Sequence, residues 1–103
     1  MRRMLLAAFI VHLPQASAAE ALENAYFVCD IFERTGMSSE CRVSNITSSV
    51  EVMIEIDQAE ARNVCAVIVK SMAEKKRVFG GQWKLRIYHP QRADTPLAAC
   101  DLR

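Results

Sequence analysis

Apolar and polar residues alternate in two segments of the chain. This alternation predicts two β-strands that each have one buried and one exposed face. In residues 49–56 the apolar side chains mostly alternate with acidic ones, whereas in residues 82–89 they alternate with basic and aromatic ones. Two shorter runs, residues 40–44 and 97–102, predict two further strands. Short polar stretches supply the turns within each pair.

The clearest helical pattern begins at Asp57 and continues to a pair of glycines, Gly80 and Gly81. Asp57 and Glu60 have the spacing of a capping box, in which each residue satisfies a backbone amide of the other. Apolar residues then recur every three or four positions as far as Met72, which predicts one buried stripe. The glycines are predicted to end the helix, because glycine readily adopts the left-handed conformation found at helix ends.

Residues 19–34 also predict a helix, since apolar residues recur there at three- and four-residue spacing. Gly36 follows at a suitable distance for a helix C-cap. Phe27, Val28 and Ile31 add apolar side chains on a second side, so a β-strand remains an alternative for this segment.

The predicted order is therefore helix, two strands, helix, two strands. It indicates an α+β domain in which a small antiparallel sheet of about four strands carries both helices on one apolar face. The opposite face carries Glu51 and Glu55 on one strand and Lys84 and Arg86 on another. If these strands are neighbours, opposite charges can pair across them.

Residues 1–18 have the three-part pattern of a secretory signal peptide. Two arginines precede an apolar run at residues 4–13, and the small residues at 16–18 form a cleavage motif. Cleavage there leaves residues 19–103 as a single small domain, with no stable membrane insertion afterwards. The arginine pair leaves the export route open between the general and the twin-arginine pathway.

Charge is distributed unevenly along a nearly neutral chain. The whole sequence has 13 basic and 12 acidic residues, which argues against nucleic acid as a partner. Residues 19–66 contain nine acidic and three basic residues, a net charge of −6, and residues 67–103 contain three acidic and eight basic residues, a net charge of +5. The asymmetry indicates either internal charge complementarity or a bipolar surface.

Four cysteines follow the predicted signal peptide: Cys29, Cys41, Cys65 and Cys100. An even number in a small exported chain predicts two disulfides, and no Cys-x-x-Cys motif is present to indicate a metal or redox site. Three pairings are possible in principle. We favour Cys29–Cys41, which closes a local loop, and Cys65–Cys100, which would tie the long helix to the last strand.

The segment Gln-Trp-Lys-Leu-Arg-Ile-Tyr-His-Pro at residues 82–90 and the segment Pro-Leu-Ala-Ala-Cys at residues 96–100 form a recognisable pattern. Together with residues 50–65 and the signal peptide, they make the chain resemble small exported proteins of unknown function from alphaproteobacteria. The resemblance covers roughly residues 41–102. It implies a periplasmic or secreted location and assigns no activity.

No residue pattern predicts catalysis, a metal site or a cofactor. His89 is the only histidine after the predicted signal peptide, and no serine lies in a Gly-x-Ser-x-Gly motif. The Gly80–Gly81 pair lacks the rest of a phosphate-binding loop. We therefore expect a protein that is not an enzyme, with an enzyme or redox protein using unrecognised residues as a minor alternative.

The best candidate binding face is basic and has aromatic neighbours: it comprises Lys75, Lys76, Arg77, Lys84 and Arg86. Such a surface suits a protein or an anionic component of the cell envelope. The competing interpretation is a solvated helix end beside an ordinary strand. An alternative function is inhibition of a secreted hydrolase by the loop at residues 89–96. The sequence does not determine the oligomeric state.

Overall fold

The computed structural model describes residues 16–103, which form two helices and one four-stranded sheet. The elements are, in chain order, α1 (Ala18–Thr35), β1 (Glu40–Ser44), β2 (Ser49–Met53), α2 (Gln58–Glu74), β3 (Trp83–Tyr88) and β4 (Ala98–Leu102). The predicted α+β class and order of elements are confirmed. The prediction of a signal peptide falls mainly on residues 1–15, which lie outside the described residues.

The sheet has the order β1-β2-β3-β4 and is mixed, whereas an antiparallel sheet was predicted. The two outer pairs are antiparallel, but β2 and β3 run parallel, with Val50 beside Leu85 and Val52 beside Ile87. The reason is the connection between them. Helix α2 returns the chain to the end of the sheet where β2 began, so β3 must run in the same direction as β2.

Residues 18–35 are helical, so the alternative of a strand in this segment is wrong. Ser17 caps the helix, and its hydroxyl accepts a hydrogen bond from the Glu20 amide at 3.1 Å. Gly36 ends the helix with a φ of 71°, as predicted. Phe27 and Ile31 are half-buried at the flanks of the helix, which explains why its apolar pattern is broad. The bond after Ala18, where cleavage is predicted, lies in the first turn.

Helix α2 begins as predicted and ends earlier than predicted. The carboxylate of Asp57 accepts a hydrogen bond from the Glu60 amide at 2.8 Å, which confirms the capping box. At the other end, Lys76 adopts a left-handed conformation with a φ of 56°, and the Arg77 amide donates to the Met72 carbonyl at 2.9 Å. This geometry ends the helix well before Gly80. The two glycines instead lie in the loop that leads to β3.

Both helices pack on the same face of the sheet, and the core lies between the two layers. Helix α1 covers β1 and β2, and helix α2 covers β3 and β4. The alternating apolar residues of the central strands are buried, including Val50, Val52, Leu85 and Ile87. The opposite face of the sheet, called the open face below, carries the charged residues between them.

Both disulfides form with the favoured pairing. Cys29–Cys41 joins α1 to β1, and Cys65–Cys100 joins α2 to β4. Because β1 and β4 are the two edge strands, each disulfide fastens one helix to one edge of the sheet. No helix among residues 16–103 combines the length and the apolar character needed to cross a membrane.

Candidate functional site

The five basic residues predicted to form one binding face lie in two separate places. Lys84 and Arg86 alternate with the buried residues of β3, so their side chains lie on the open face. Lys75, Lys76 and Arg77, called the helix-end cluster below, follow α2 and therefore lie on the side of the sheet that the helices cover. The structure does not bring the two groups together.

The basic residues on the open face are paired with carboxylates. The Lys84 ammonium lies 2.6 Å from an Asp101 carboxylate oxygen, and an Arg86 guanidinium nitrogen lies 3.9 Å from one of Glu51. The hydrogen bond from Lys84, together with its positive charge, holds the pKa of Asp101 below its usual value. Glu55, which was placed on the same face, lies beyond the end of β2. Much of the basic charge on this face is therefore neutralised locally.

The two lysines of the helix-end cluster are exposed and unpaired. Neither Lys75 nor Lys76 forms an ion pair with any residue between positions 16 and 103. Lys75 is the C-cap residue of α2, and the negative end of a helix dipole favours positive charge there. Their ammonium groups are thus free to meet an anionic partner.

Arg77 has a structural role that distinguishes it from its neighbours. Its guanidinium lies over the Phe27 ring, 3.7 Å from the centroid, and donates a hydrogen bond to the Asn24 side-chain oxygen at 2.9 Å. Asn24 is buried, and its amide nitrogen donates to the Val78 carbonyl at 2.8 Å. This network fastens the segment after α2 to α1. Sequence analysis missed it because the residues that it joins are 50 or more positions apart.

A groove of about 590 Å³ lies beside the helix-end cluster, between the last turns of α2 and the end of β4. Its apolar lining consists of Val69, Met72, Ala73, Val78 and Leu102, and its charged lining consists of Lys76, Arg77 and Arg103. No acidic side chain lines it. The groove could not be read from the sequence, because it depends on where α2 ends and on the position of the last strand.

A hydrogen bond joins Arg103, which follows β4, to the loop that follows α2 and borders the groove. The Phe79 amide donates to the Arg103 carbonyl at 3.0 Å. Phe79 itself is buried in the core, so this bond positions the end of β4 relative to the segment that follows α2. This bond therefore holds the two backbone segments that border the groove, the loop after α2 and the end of β4, in position relative to each other.

A second depression, of about 540 Å³, lies at the opposite end of α2 and is lined by Glu55, Asp57, Glu60, His89 and Arg92 among others. Asp57 and Glu60 cap the helix, and the His89 Nδ1 atom accepts a hydrogen bond from the Gln91 amide at 3.1 Å. Most of these polar groups thus maintain local structure. Within residues 16–103, no three His, Cys, Asp or Glu side chains are grouped to hold a metal ion.

The loop proposed as an inhibitory segment connects β3 to β4 at this same end. The Arg92 amide donates to the His89 carbonyl at 2.9 Å, and the Leu97 amide donates to the Ile87 carbonyl at 2.7 Å. Residues 90–95 between these bonds are exposed. The loop is therefore fixed at its base and accessible at its tip.

Comparison with known proteins gives no identity for the chain. No family model matches it, and no curated protein and no solved structure is significantly similar to it. The resemblance to small exported alphaproteobacterial proteins stays a prediction from the sequence.

Proposed function

We propose that the protein is a periplasmic or secreted, non-enzymatic binding module whose helix-end cluster binds an anionic component of the cell envelope. The observation that carries the proposal is the contrast between the two groups of basic residues. Lys84 and Arg86 face carboxylates, whereas Lys75 and Lys76 have none within residues 16–103. Exposed charged side chains that have no ion-pair partner attract oppositely charged molecules, and dissolved salt shortens the range of this attraction.

The disulfides support the part of the proposal that concerns the compartment. Disulfides of this kind persist in oxidising environments outside the cytosol. Here they fasten both helices to the sheet edges and would hold the helix-end cluster in place in such an environment. The signal-peptide pattern at residues 1–18 agrees with export.

The proposal is tested by co-sedimentation of the oxidised protein with vesicles of phosphatidylglycerol and, separately, of phosphatidylcholine. We expect binding to the anionic vesicles only, and weaker binding at high salt. The double variant Lys75→Glu/Lys76→Glu should lose this binding. Arg62→Glu/Lys70→Glu is the matched control, since both residues are exposed on α2 and the charge change is the same.

Equal loss of binding in both double variants would mean that only net charge matters, and the helix-end cluster would not be the site. Absence of binding to either type of vesicle would exclude a lipid surface and leave an acidic protein as the partner to examine. Circular dichroism of each variant verifies that the fold is intact.

A second candidate function is inhibition of a secreted hydrolase, favoured by the exposed and anchored loop at residues 90–95. Inhibitors of this kind present a rigid segment to an active site. The test is residual activity of a secreted protease or a lysozyme-type enzyme in the presence of the protein. Inhibition should disappear when residues 91–95 are replaced by a glycine-serine segment, whereas vesicle binding should remain.

A further inference from the structure

We propose that the groove between α2 and β4 binds the hydrocarbon chain of a single-chain anionic amphiphile, and that Lys76 pairs with its head group. This inference rests on the proposed function, because it assigns a ligand class to the surface beside the helix-end cluster. The groove and the cluster share Lys76 and Arg77, so a head group held at Lys76 places an attached chain next to the apolar lining.

The size and lining of the groove favour a hydrocarbon chain. Its volume of about 590 Å³ lies within the range of ligand pockets, roughly 300–1,000 Å³. Five of its eight lining residues are apolar, and the polar side chains among them are all cationic. Such a site offers no side-chain acceptor to a sugar or a peptide. Burying methylene groups against it should raise affinity about fourfold for each methylene.

The charges favour an anionic head. Three basic side chains and no acidic side chain line the groove, which favours an anionic head group over a cationic one. Arg77 is already held by Asn24 and Phe27, which fixes its guanidinium. Lys76 and Arg103 have no ion-pair partner among residues 16–103. The positive charge of Arg103 also acts on the Asp101 carboxylate, whereas no carboxylate competes for Lys76, so we assign the head group to Lys76.

The backbone conformation of Lys76 is a separate observation that favours a functional role for this residue. Its φ of 56° is the left-handed conformation that glycine adopts most easily. A lysine in this conformation carries a steric cost, and non-glycine residues in such rarely populated backbone conformations cluster at functional sites. Glycine would end α2 at least as well but would supply no ammonium group to the groove.

The inference is tested by calorimetric titration of the oxidised protein with amphiphiles below their micelle concentrations. The probes are dodecanoate, dodecyl phosphate, dodecyltrimethylammonium and butanoate. We expect one molecule of dodecanoate per protein, at least tenfold weaker binding of the trimethylammonium compound, and no detectable binding of butanoate. The phosphate probe establishes whether the site prefers a carboxylate or a phosphate head.

Two pairs of variants locate the site. Ala73→Trp should fill the groove and weaken dodecanoate binding at least tenfold, whereas Ala66→Trp should leave it unchanged. Both alanines are exposed on α2 and lie seven residues apart, on the same side of the helix, but only Ala73 lines the groove. Lys76→Glu should likewise weaken binding, whereas Lys70→Glu should not.

The outcomes separate this inference from the proposed function. Ala73→Trp that loses dodecanoate but still binds phosphatidylglycerol vesicles would support both. Vesicle binding without any dodecanoate binding would overturn the inference and leave the proposed function standing. Equal affinity for dodecanoate in Ala73→Trp and Ala66→Trp, or equal affinity for the anionic and cationic probes, would also overturn it. Thermal unfolding of each variant excludes loss of the fold as the cause.

Discussion

Lys76 combines an unfavourable backbone conformation with an unpaired charge beside an apolar groove. The sequence contains the three adjacent basic residues but does not reveal that they differ. The Arg77 side chain donates a hydrogen bond to Asn24 of α1, whereas the Lys76 backbone adopts a left-handed conformation. These differences arise from tertiary contacts and from the local geometry of the helix end, which residue type alone does not determine.

Replacing Lys76 by glycine should make the protein more stable and a weaker binder. Glycine adopts the left-handed conformation without the steric cost of a Cβ atom, so we expect a gain of about 0.5–1 kcal/mol in the free energy of unfolding. Urea denaturation of the oxidised protein measures this change, and the dodecanoate titration measures the loss of binding. A destabilised Lys76→Gly variant would contradict the conformational argument.

Asp101 should titrate below its usual pKa, because Lys84 donates a hydrogen bond to its carboxylate and stabilises the negative charge. The folded-state pKa is lower than the unfolded one, so the pair contributes stability above the unfolded value, about 3.9, and loses it as the pH falls through the folded pKa. Carboxyl-carbon NMR measures this titration. Lys84→Met should return the pKa towards its usual value, and an unchanged pKa would exclude Lys84 as the cause.

Several features at the scale of the elements could be predicted, because local residue patterns determine them. The capping box at Asp57, the alternation in β2 and β3, and Gly36 at the end of α1 each act over a few residues. The end of α2 could not be predicted, because a left-handed lysine replaced the expected glycine. The parallel pairing of β2 and β3 depends on how α2 crosses the sheet, which alternation does not encode.

Removal of the Asn24 side chain should loosen the attachment of α1 to the segment after α2. Asn24→Ala leaves the Val78 carbonyl and the Arg77 guanidinium without this partner, and we expect a cost of about 1–3 kcal/mol. Asn63→Ala is the matched control, because Asn63 is exposed on α2, and its cost should stay within about 0.5 kcal/mol. Urea denaturation measures both. Equal costs would show that the Asn24 network contributes little.

At the scale of the whole molecule, each disulfide fastens one helix to one edge strand, and the two loops differ in length. The bridged residues are 12 positions apart in Cys29–Cys41 and 35 apart in Cys65–Cys100. The longer loop restricts the unfolded chain more, so removing its disulfide should cost about 4 kcal/mol against about 3 kcal/mol for the shorter one. Paired Cys→Ala variants and urea denaturation measure these costs. A larger cost for the shorter loop would contradict loop closure as the main effect.

The acidic and basic halves of the chain pair with each other only to a small extent in the folded structure. Among the four ion pairs within residues 16–103, only Glu51–Arg86 joins the acidic half of the chain to the basic half. Pairing of opposite charges across these strands was expected if they were neighbours, and Glu51–Arg86 is such a pair. The absence of an ion pair at Lys75 and Lys76 within residues 16–103 was not predicted. The structure therefore leaves the basic side chains of Lys75 and Lys76 exposed to solvent at the end of α2.

The most direct test of this account is a backbone amide NMR titration of the oxidised protein with dodecanoate. We predict saturable chemical-shift changes at Val69, Ala73, Lys76, Val78 and Leu102, with the open face around Lys84 and Arg86 unaffected. Shifts centred on the open face, or on residues 90–95, would contradict the assignment of the binding site. No shifts up to the micelle concentration would contradict the assignment of the ligand.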